Sequence, residues 1–86
     1  MQRLTIKHDM EITAPESGLP EILHRLASFE DVYDELASSM IMIPKELEKL
    51  KADGKEKTAR YRELFGQKLI NNQIRALFER HGIFFD

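Results

Sequence analysis

Residues 54–64, which read GKEKTARYREL, combine residue types that bind phosphate with residue types that stack on nucleobases. Arginine and lysine pair with phosphate oxygens, and aromatic rings stack on bases. The start of a helix adds free amide donors and the positive end of its dipole. This combination predicts a site for a nucleotide or another phosphate-containing small molecule, although a basic loop that only solvates a turn is the alternative interpretation. The candidate ligand-binding residues are Lys55, Lys57, Thr58, Arg60, Tyr61, Arg62, Phe65 and Lys68.

The charge of the chain is distributed unevenly. Residues 1–43 contain three basic and eight acidic residues, a net charge of −5, whereas residues 44–86 contain ten basic and seven acidic residues, a net charge of +3. The overall charge of −2 is not that of a generic DNA-binding domain. A run of acidic residues usually faces water, but a counter-surface for the basic segment and a divalent-ion site are alternatives. The acidic cluster comprises Glu30, Asp31, Asp34 and Glu35.

The sequence contains no recognisable catalytic motif. It has no cysteine, which excludes disulfides, thiolate metal sites and thiol catalysis. His8, His24 and His81 do not have the spacing of a metal site. The four glycines form neither a P-loop nor a dinucleotide-binding fingerprint. We therefore expect a protein that is not an enzyme and that uses neither a metal nor a cofactor.

Length and composition indicate a single globular domain over residues 1–86. The chain is 42% hydrophobic and 33% charged, which favours a folded rather than a disordered protein. Its opening, MQRLTIKHDMEITAPES, lacks the apolar core of a signal peptide, and its apolar runs are far shorter than the roughly 18 residues of a membrane span. We expect a soluble protein of the cytoplasm with no membrane partner.

The first 15 residues form an arm with the pattern of β-structure. Residues 3–13 alternate between apolar and polar types, which predicts a short strand, or two strands around Lys7-His8-Asp9. Two short strands alone are marginal in water, so we expect this arm to pack on another element. Pro15, Ser17 and Gly18 then end the arm, and Pro20 suits the first turn of a helix.

Residues 19–53 follow a heptad pattern that predicts helices packed along one seam. Proline lacks an amide hydrogen and clashes with the preceding turn, so a bend or break is expected near Pro44 and a stop at Gly54. Two sets of apolar residues, each repeating every seven positions, form the seam: Leu19, Leu26, Tyr33, Met40 and Leu47, and Ile22, Phe29, Leu36, Ile43 and Leu50.

Residues 55–82 have the pattern of C-terminal helices with apolar residues on two faces. Either one helix is sandwiched between partners, or it breaks between Gly66 and Asn72, where Asn71 or Asn72 would cap the second piece. Gly82 fits the left-handed position that ends a helix, with Ile83 in contact with Phe78. One face carries Tyr61, Leu64, Phe65 and Leu69, and the other carries Ile70, Ile74, Leu77 and Phe78.

These patterns together predict a mainly α protein. The expected fold is a small helical hairpin or bundle with a short strand-like N-terminal arm, completed by oligomerisation. A single apolar seam followed by a two-sided helix in so short a chain favours a homo-oligomer, a dimer or higher.

Two segments resemble those of small uncharacterised proteins encoded by phages and prophages of Gram-positive bacteria. Residues 25–31, RLASFED, resemble the RLA-x-(Y/F)-ED segment of these proteins. Residues 54–74, GKEKTARYRELFGQKLINNQI, resemble their G-K-x-K-T-x-x-(F/Y)-x-E-L-x-x-x-K-L-x-N segment. Together with the ending ERHGI, the resemblance covers most of residues 25–83.

The basic segment also resembles the phage proteins that sequester cyclic oligonucleotide signals of the CBASS defence. Their segment reads G-R-E-K-S, followed by a leucine and by an asparagine in a long helix, and Gly54, Lys57, Thr58, Leu64 and Asn72 stand at matching spacings. Those proteins are compact helical oligomers that bind the signal without destroying it. The resemblance implies that Lys57 and Thr58 contact phosphate, and it adds Asn72 to the candidate ligand-binding residues. The positions that depart from that segment are Arg62, Phe65, Gly66 and Ile70.

The residue patterns and the resemblances lead to one interpretation of function. We expect a phage or prophage accessory protein, acting against host defence in the host cell cytoplasm, that binds and sequesters a cyclic nucleotide-type immune signal without catalysis. The alternatives are an inhibitor or adaptor that binds a host defence protein or nucleic acid, and a purely structural helical module.

Overall fold

The computed structural model describes residues 1–85 and is mainly α, as predicted. It divides into two compact units, Met1–Tyr33 and the part of the chain from Asp34 onward. Within the described residues, no helix is long and apolar enough to cross a membrane. In chain order the elements are β1 (Ile6–His8), β2 (Glu11–Thr13), a short 3-10 helix (Glu16–Gly18), α1 (Leu19–Ala52) and α2 (Ala59–Arg80).

The predicted strand-like arm is an antiparallel pair of strands. β1 and β2 pair with Lys7 opposite Ile12 and with His8 opposite Glu11. The tight turn between them places Asp9 at φ 53°, a left-handed conformation that aspartate tolerates better than most residues. All six strand residues are exposed, so the pair has no core of its own.

The arm is tied to the first part of α1 by polar contacts. The Nη1 of Arg25 donates a hydrogen bond to the carbonyl oxygen of Gln2 at 2.6 Å, and its Nη2 lies 3.7 Å from Glu21 Oε1. Pro20 lies in the first turn of α1, as predicted. No residue of Met1–Tyr33 is buried, because contacts within this unit cover its apolar side chains only partly.

The unit from Asp34 onward is a helical hairpin with its own small core. α2 runs antiparallel to this part of α1, and the apolar residues buried between them are Leu47 and Leu64. Asn71 is also buried, with 2% of its surface exposed. Its Nδ2 donates to Ser39 Oγ at 3.0 Å, and its Oδ1 accepts from Gln67 Nε2 at 2.9 Å. The bond to Ser39 joins α2 to α1, whereas Gln67 lies one turn before Asn71 on α2 itself. A buried amide needs its partners, so the bond to Ser39 favours this register of the two helices.

α1 continues through Pro44 as one helix, so of the predicted bend or break the break does not occur. Proline removes the donor that would bond the Met40 carbonyl, which costs one helical hydrogen bond. The continuous helix keeps the heptad positions on both sides of Pro44 on one face, where Leu47 is buried against α2. Packing of that face therefore outweighs the local preference for a break.

α2 is also one helix, so neither the predicted break between Gly66 and Asn72 nor a cap at Asn71 is present. The predicted helix stops are confirmed. Gly54 has φ 72° and Gly82 has φ 79°. At Gly82 the amides of Gly82 and Ile83 bond the carbonyls of Glu79 and Phe78, the two bonds of a Schellman motif.

The heptad seam is covered along only part of its length. From Leu36 to Leu50 its residues are buried or half-buried. In the unit Met1–Tyr33, Leu19 and Leu26 are 54% and 50% exposed. On α2, Ile70 and Leu77 of the second apolar face are also exposed. On the first face Leu64 is buried, but Phe65 and Leu69 are 45% and 50% exposed, so both apolar faces of α2 are partly open.

Candidate ligand-binding groove

Thr58 is the N-cap residue of α2. Its hydroxyl accepts a hydrogen bond from the Tyr61 amide at 3.2 Å and donates to the carbonyl of Lys55 at 2.7 Å. Threonine in this position satisfies one of the free amides of the first turn. Because both bonds are internal to the chain, the hydroxyl of Thr58 is occupied in maintaining the helix start.

Five side chains form a stripe along one flank of α2. Tyr61, Phe65, Lys68, Asn72 and Arg75 are spaced by four, three, four and three residues, which places them within about 80° of each other around the helix axis. The stripe borders the face that carries Leu64 and Asn71, the buried residues that contact α1. Its members therefore line the edge of the hairpin interface.

The first cavity along this stripe, here called the aromatic groove, has a volume of about 550 Å³. The rings of Tyr61 and Phe65 are stacked in it, with centroids 6.4 Å apart and planes inclined by 15°. Lys51 of α1 and Lys68 of α2 line the same cavity and add two positive charges to it. The full lining is Pro44, Leu47, Glu48, Lys51, Ala52, Tyr61, Phe65 and Lys68.

The second cavity, here called the polar notch, has a volume of about 150 Å³. Its donors come from α2, and its opposite wall is the stretch of α1 around Pro44. Met40 and Pro44 both line this wall, and Pro44 has no amide hydrogen to donate to the carbonyl of Met40. The full lining is Met40, Ile43, Pro44, Lys68, Asn71, Asn72 and Arg75.

The charged groups of the stripe differ in their partners. Arg75 Nε donates to Glu79 Oε1 at 3.0 Å, which leaves the N–H groups of its two terminal nitrogens. Within residues 1–85, no carboxylate lies within 4.0 Å of the Lys51 or Lys68 ammonium. Two lysines at the cavities are thus able to bind an anion without breaking an ion pair.

The structure brings together four of the nine predicted site residues. Tyr61, Phe65 and Lys68 line the aromatic groove, and Lys68 and Asn72 line the polar notch. The other five line neither cavity. Of these, Arg60 lies 4.0 Å from Glu63, and the rest are exposed at the turn or on the first turns of α2: Lys55, Lys57, Thr58 and Arg62.

Sequence reasoning missed Lys51 and Arg75. Arg75 lies ten residues beyond the basic segment, but it continues the helical spacing of Tyr61, Phe65, Lys68 and Asn72, and that periodicity was the available signal. Lys51 belongs to α1, and no spacing along the chain shows that it faces Tyr61. Only the antiparallel packing of the two helices reveals it.

The side chains that line the two cavities are of types that bind anions and aromatic ligands. In the portion of the chain that the structure describes, no group of three or more histidine, aspartate or glutamate side chains is placed to hold a metal ion. The cavities instead combine ammonium and guanidinium groups, amides and aromatic rings. The fold and the cavities define an α-helical hairpin with a cationic, aromatic cleft along one flank.

Comparison of the chain with models of known protein families, with curated proteins and with solved structures gives no match. The comparisons therefore leave both sequence resemblances as predictions.

Proposed function

We propose that this protein acts by stoichiometric binding of a nucleotide-type ligand in the aromatic groove, without catalysis. The observation that carries the proposal is that the stacked pair Tyr61–Phe65 lines one cavity of about 550 Å³ together with Lys51 and Lys68. Stacked aromatic rings offer a face to a nucleobase, and the two ammonium groups offer charge to its phosphate.

The size and chemistry of the aromatic groove support this ligand class. Its volume lies within the roughly 300–1,000 Å³ of small-molecule sites. Stacking of a base on an aromatic side chain contributes about 1–3 kcal/mol. Glu48, which also lines the groove, is an acceptor for a base amine or a sugar hydroxyl. The groove thus offers a different type of contact to each part of a nucleotide.

The specific ligand that we propose is a cyclic nucleotide-type immune signal. The support comes from residues 25–31 and 54–74, which resemble segments of phage and prophage proteins, and from the resemblance of the basic segment to proteins that sequester such signals. On this proposal the protein is a phage or prophage anti-defence protein that lowers the free concentration of the signal in the host cytoplasm.

We also propose that copies of the chain associate into a homo-oligomer. The support is the open part of the heptad seam, where Leu19 and Leu26 are about half exposed, and the open face of α2 with Ile70 and Leu77. Apolar residues at heptad spacing are typical of helix–helix contacts. A host defence protein is the competing occupant of these surfaces, and the subunit count of the purified protein separates the two.

The test of the ligand is a calorimetric titration against cyclic dinucleotides, cyclic trinucleotides and linear mononucleotides, with recovery of the ligand afterwards. We expect saturable binding and recovery of the ligand unchanged. Phe65→Ala should weaken binding about 10–100-fold, because it removes one face of the stacked pair.

The matched control is Leu69→Ala. Phe65 and Leu69 lie on α2 and are 45% and 50% exposed, but only Phe65 lines the aromatic groove. The control should bind like the wild type. Equal losses of affinity in Phe65→Ala and Leu69→Ala would contradict the assignment of the aromatic groove as the site. A folded wild type that binds no member of the panel would overturn the proposed function and favour a protein partner. Binding to oligonucleotides that weakens steeply with salt would instead indicate nucleic acid as the partner.

A further inference from the structure

We propose that the polar notch is the phosphate subsite of this protein, with Lys68, Asn72 and Arg75 as its donor side chains. The inference rests on the proposed function, since it places the phosphate of the same ligand whose base lies in the aromatic groove. It adds Arg75 as a binding residue and assigns the main phosphate contacts to the middle of α2 rather than to the basic turn before it.

The size of the notch suits a single chemical group. Its volume of about 150 Å³ is below the roughly 300 Å³ at which whole-molecule sites begin. A phosphate group fits such a space, whereas a nucleotide does not. The larger aromatic groove is the space in which the rest of the ligand lies.

The lining of the notch is rich in donors and has no carboxylate. Lys68 brings three N–H groups, and Arg75 brings those of its two terminal nitrogens, because only its Nε is bonded to Glu79. Asn72 adds an amide. The buried Asn71 uses one hydrogen of its Nδ2 for Ser39, and the second hydrogen remains for a ligand. Charged donors of two kinds around a small cavity are the chemistry that binds phosphate oxygens.

The two cavities are neighbours within the hairpin. Pro44 and Lys68 line both of them, so a ligand in the aromatic groove reaches the notch past these two residues.

The basic turn is less suited to this role. Lys55 and Lys57 are exposed and line neither the aromatic groove nor the polar notch. The hydroxyl of Thr58 is occupied by the Lys55 carbonyl and the Tyr61 amide. Arg75, by contrast, faces Pro44 across a defined cavity and is oriented by Glu79.

The experiment compares Arg75→Gln with Arg80→Gln in the full chain, using cyclic di-AMP, AMP, adenosine and inorganic phosphate as probes. Both variants remove one positive charge from α2, but Arg80 does not line the notch. We expect Arg75→Gln to lower the affinity for cyclic di-AMP and for AMP at least about tenfold, because it removes a charged hydrogen bond to phosphate. Adenosine, which has no phosphate, should bind both variants equally, and circular dichroism should show that both are folded.

The outcomes separate this inference from the function on which it rests. If the wild type binds the nucleotides, and Arg75→Gln binds them with the same affinity as Arg80→Gln, the phosphate subsite is overturned. The proposed function would then still stand. If Arg75→Gln loses affinity for adenosine and for AMP to the same extent, the subsite is also overturned. Arg75 would then stabilise the fold rather than bind the phosphate. A folded wild type that binds none of the probes would overturn both proposals.

Discussion

The two units of this protein use the same heptad pattern with different results. In the unit from Asp34 onward, the seam is covered by α2, and Leu47, Leu64 and Asn71 are buried. In Met1–Tyr33 the pattern continues on the same helix, but no residue is buried and Leu26 remains half exposed. A repeat along the sequence thus marks an apolar face, whereas its burial depends on whether the chain supplies a second element.

This difference indicates a division of roles. The unit with its own core holds the two cavities in a fixed register, which a binding site requires. The unit without a core presents apolar surface that a second copy is proposed to cover. Three pairs of variants, described in order of decreasing expected effect, test this distinction.

Leu47→Ala should have the largest effect, since it removes half of the buried apolar pair of the hairpin. A leucine-to-alanine change at a buried site costs about 2–5 kcal/mol in the free energy of unfolding. Leu23→Ala, in the unit without a core and 55% exposed, should change it by less than about 0.5 kcal/mol. Urea denaturation followed by circular dichroism measures both values. Similar losses would show that Leu23 is as well packed as Leu47, which would remove the contrast between the units.

Leu19→Ser combined with Leu26→Ser should weaken self-association. Each leucine that a partner covers contributes about 1.5 kcal/mol or more, so the pair should shift the association constant about 100-fold. Ile41→Ser with Met42→Ser removes similarly exposed apolar surface from positions outside the seam and is the control. Sedimentation equilibrium gives the association constants. If the wild type is a monomer, or if both double variants associate like it, the open seam is not the contact between copies.

Substitution of two glycines by alanine should have the smallest effects on the free energy of unfolding, and the two effects should be opposite in sign. Gly54→Ala should destabilise by about 1–2 kcal/mol because its φ is 72°, a left-handed conformation that a Cβ disfavours. Gly66→Ala should stabilise by about 0.5–1 kcal/mol, since Gly66 is helical and a Cβ there meets nothing within 4 Å. Hydrogen exchange shows where each change acts. We expect slower exchange in the hairpin of Gly66→Ala and no change in β1 and β2, whereas slowing in both would show that the units unfold together.

Much of the fold was predictable from local signals. The strand pair, the helix stops at Gly54 and Gly82, and the heptad face all follow from spacing and from residue types with narrow conformational preferences. A break was one of the two alternatives predicted near Pro44 and between Gly66 and Asn72, and in both places the helix is continuous. Both regions contain a poor helix former, but the burial of Leu47 and of Asn71 across the hairpin outweighs that preference.

The candidate site was predictable only in part. Tyr61, Phe65 and Lys68 follow one another at helical spacing, so their common face could be read from the sequence. The participation of Lys51 and the buried contact of Asn71 with Ser39 depend on which residues of α1 lie opposite α2. That register is a property of packing between helices, which no pattern within either segment contains.

Binding in the hairpin cleft can be located by chemical-shift mapping, with NMR of the 15N-labelled protein during titration with cyclic di-AMP. If the ligand binds there, saturable shifts are expected at the stripe of α2, from Tyr61 to Arg75, and at Lys51 on the facing helix, with the signals of β1 and β2 unchanged. Shifts confined to Lys55 and Lys57 at the turn or to Met1–Tyr33, or no shifts at saturating nucleotide, would contradict the claim that the hairpin cleft is the binding site.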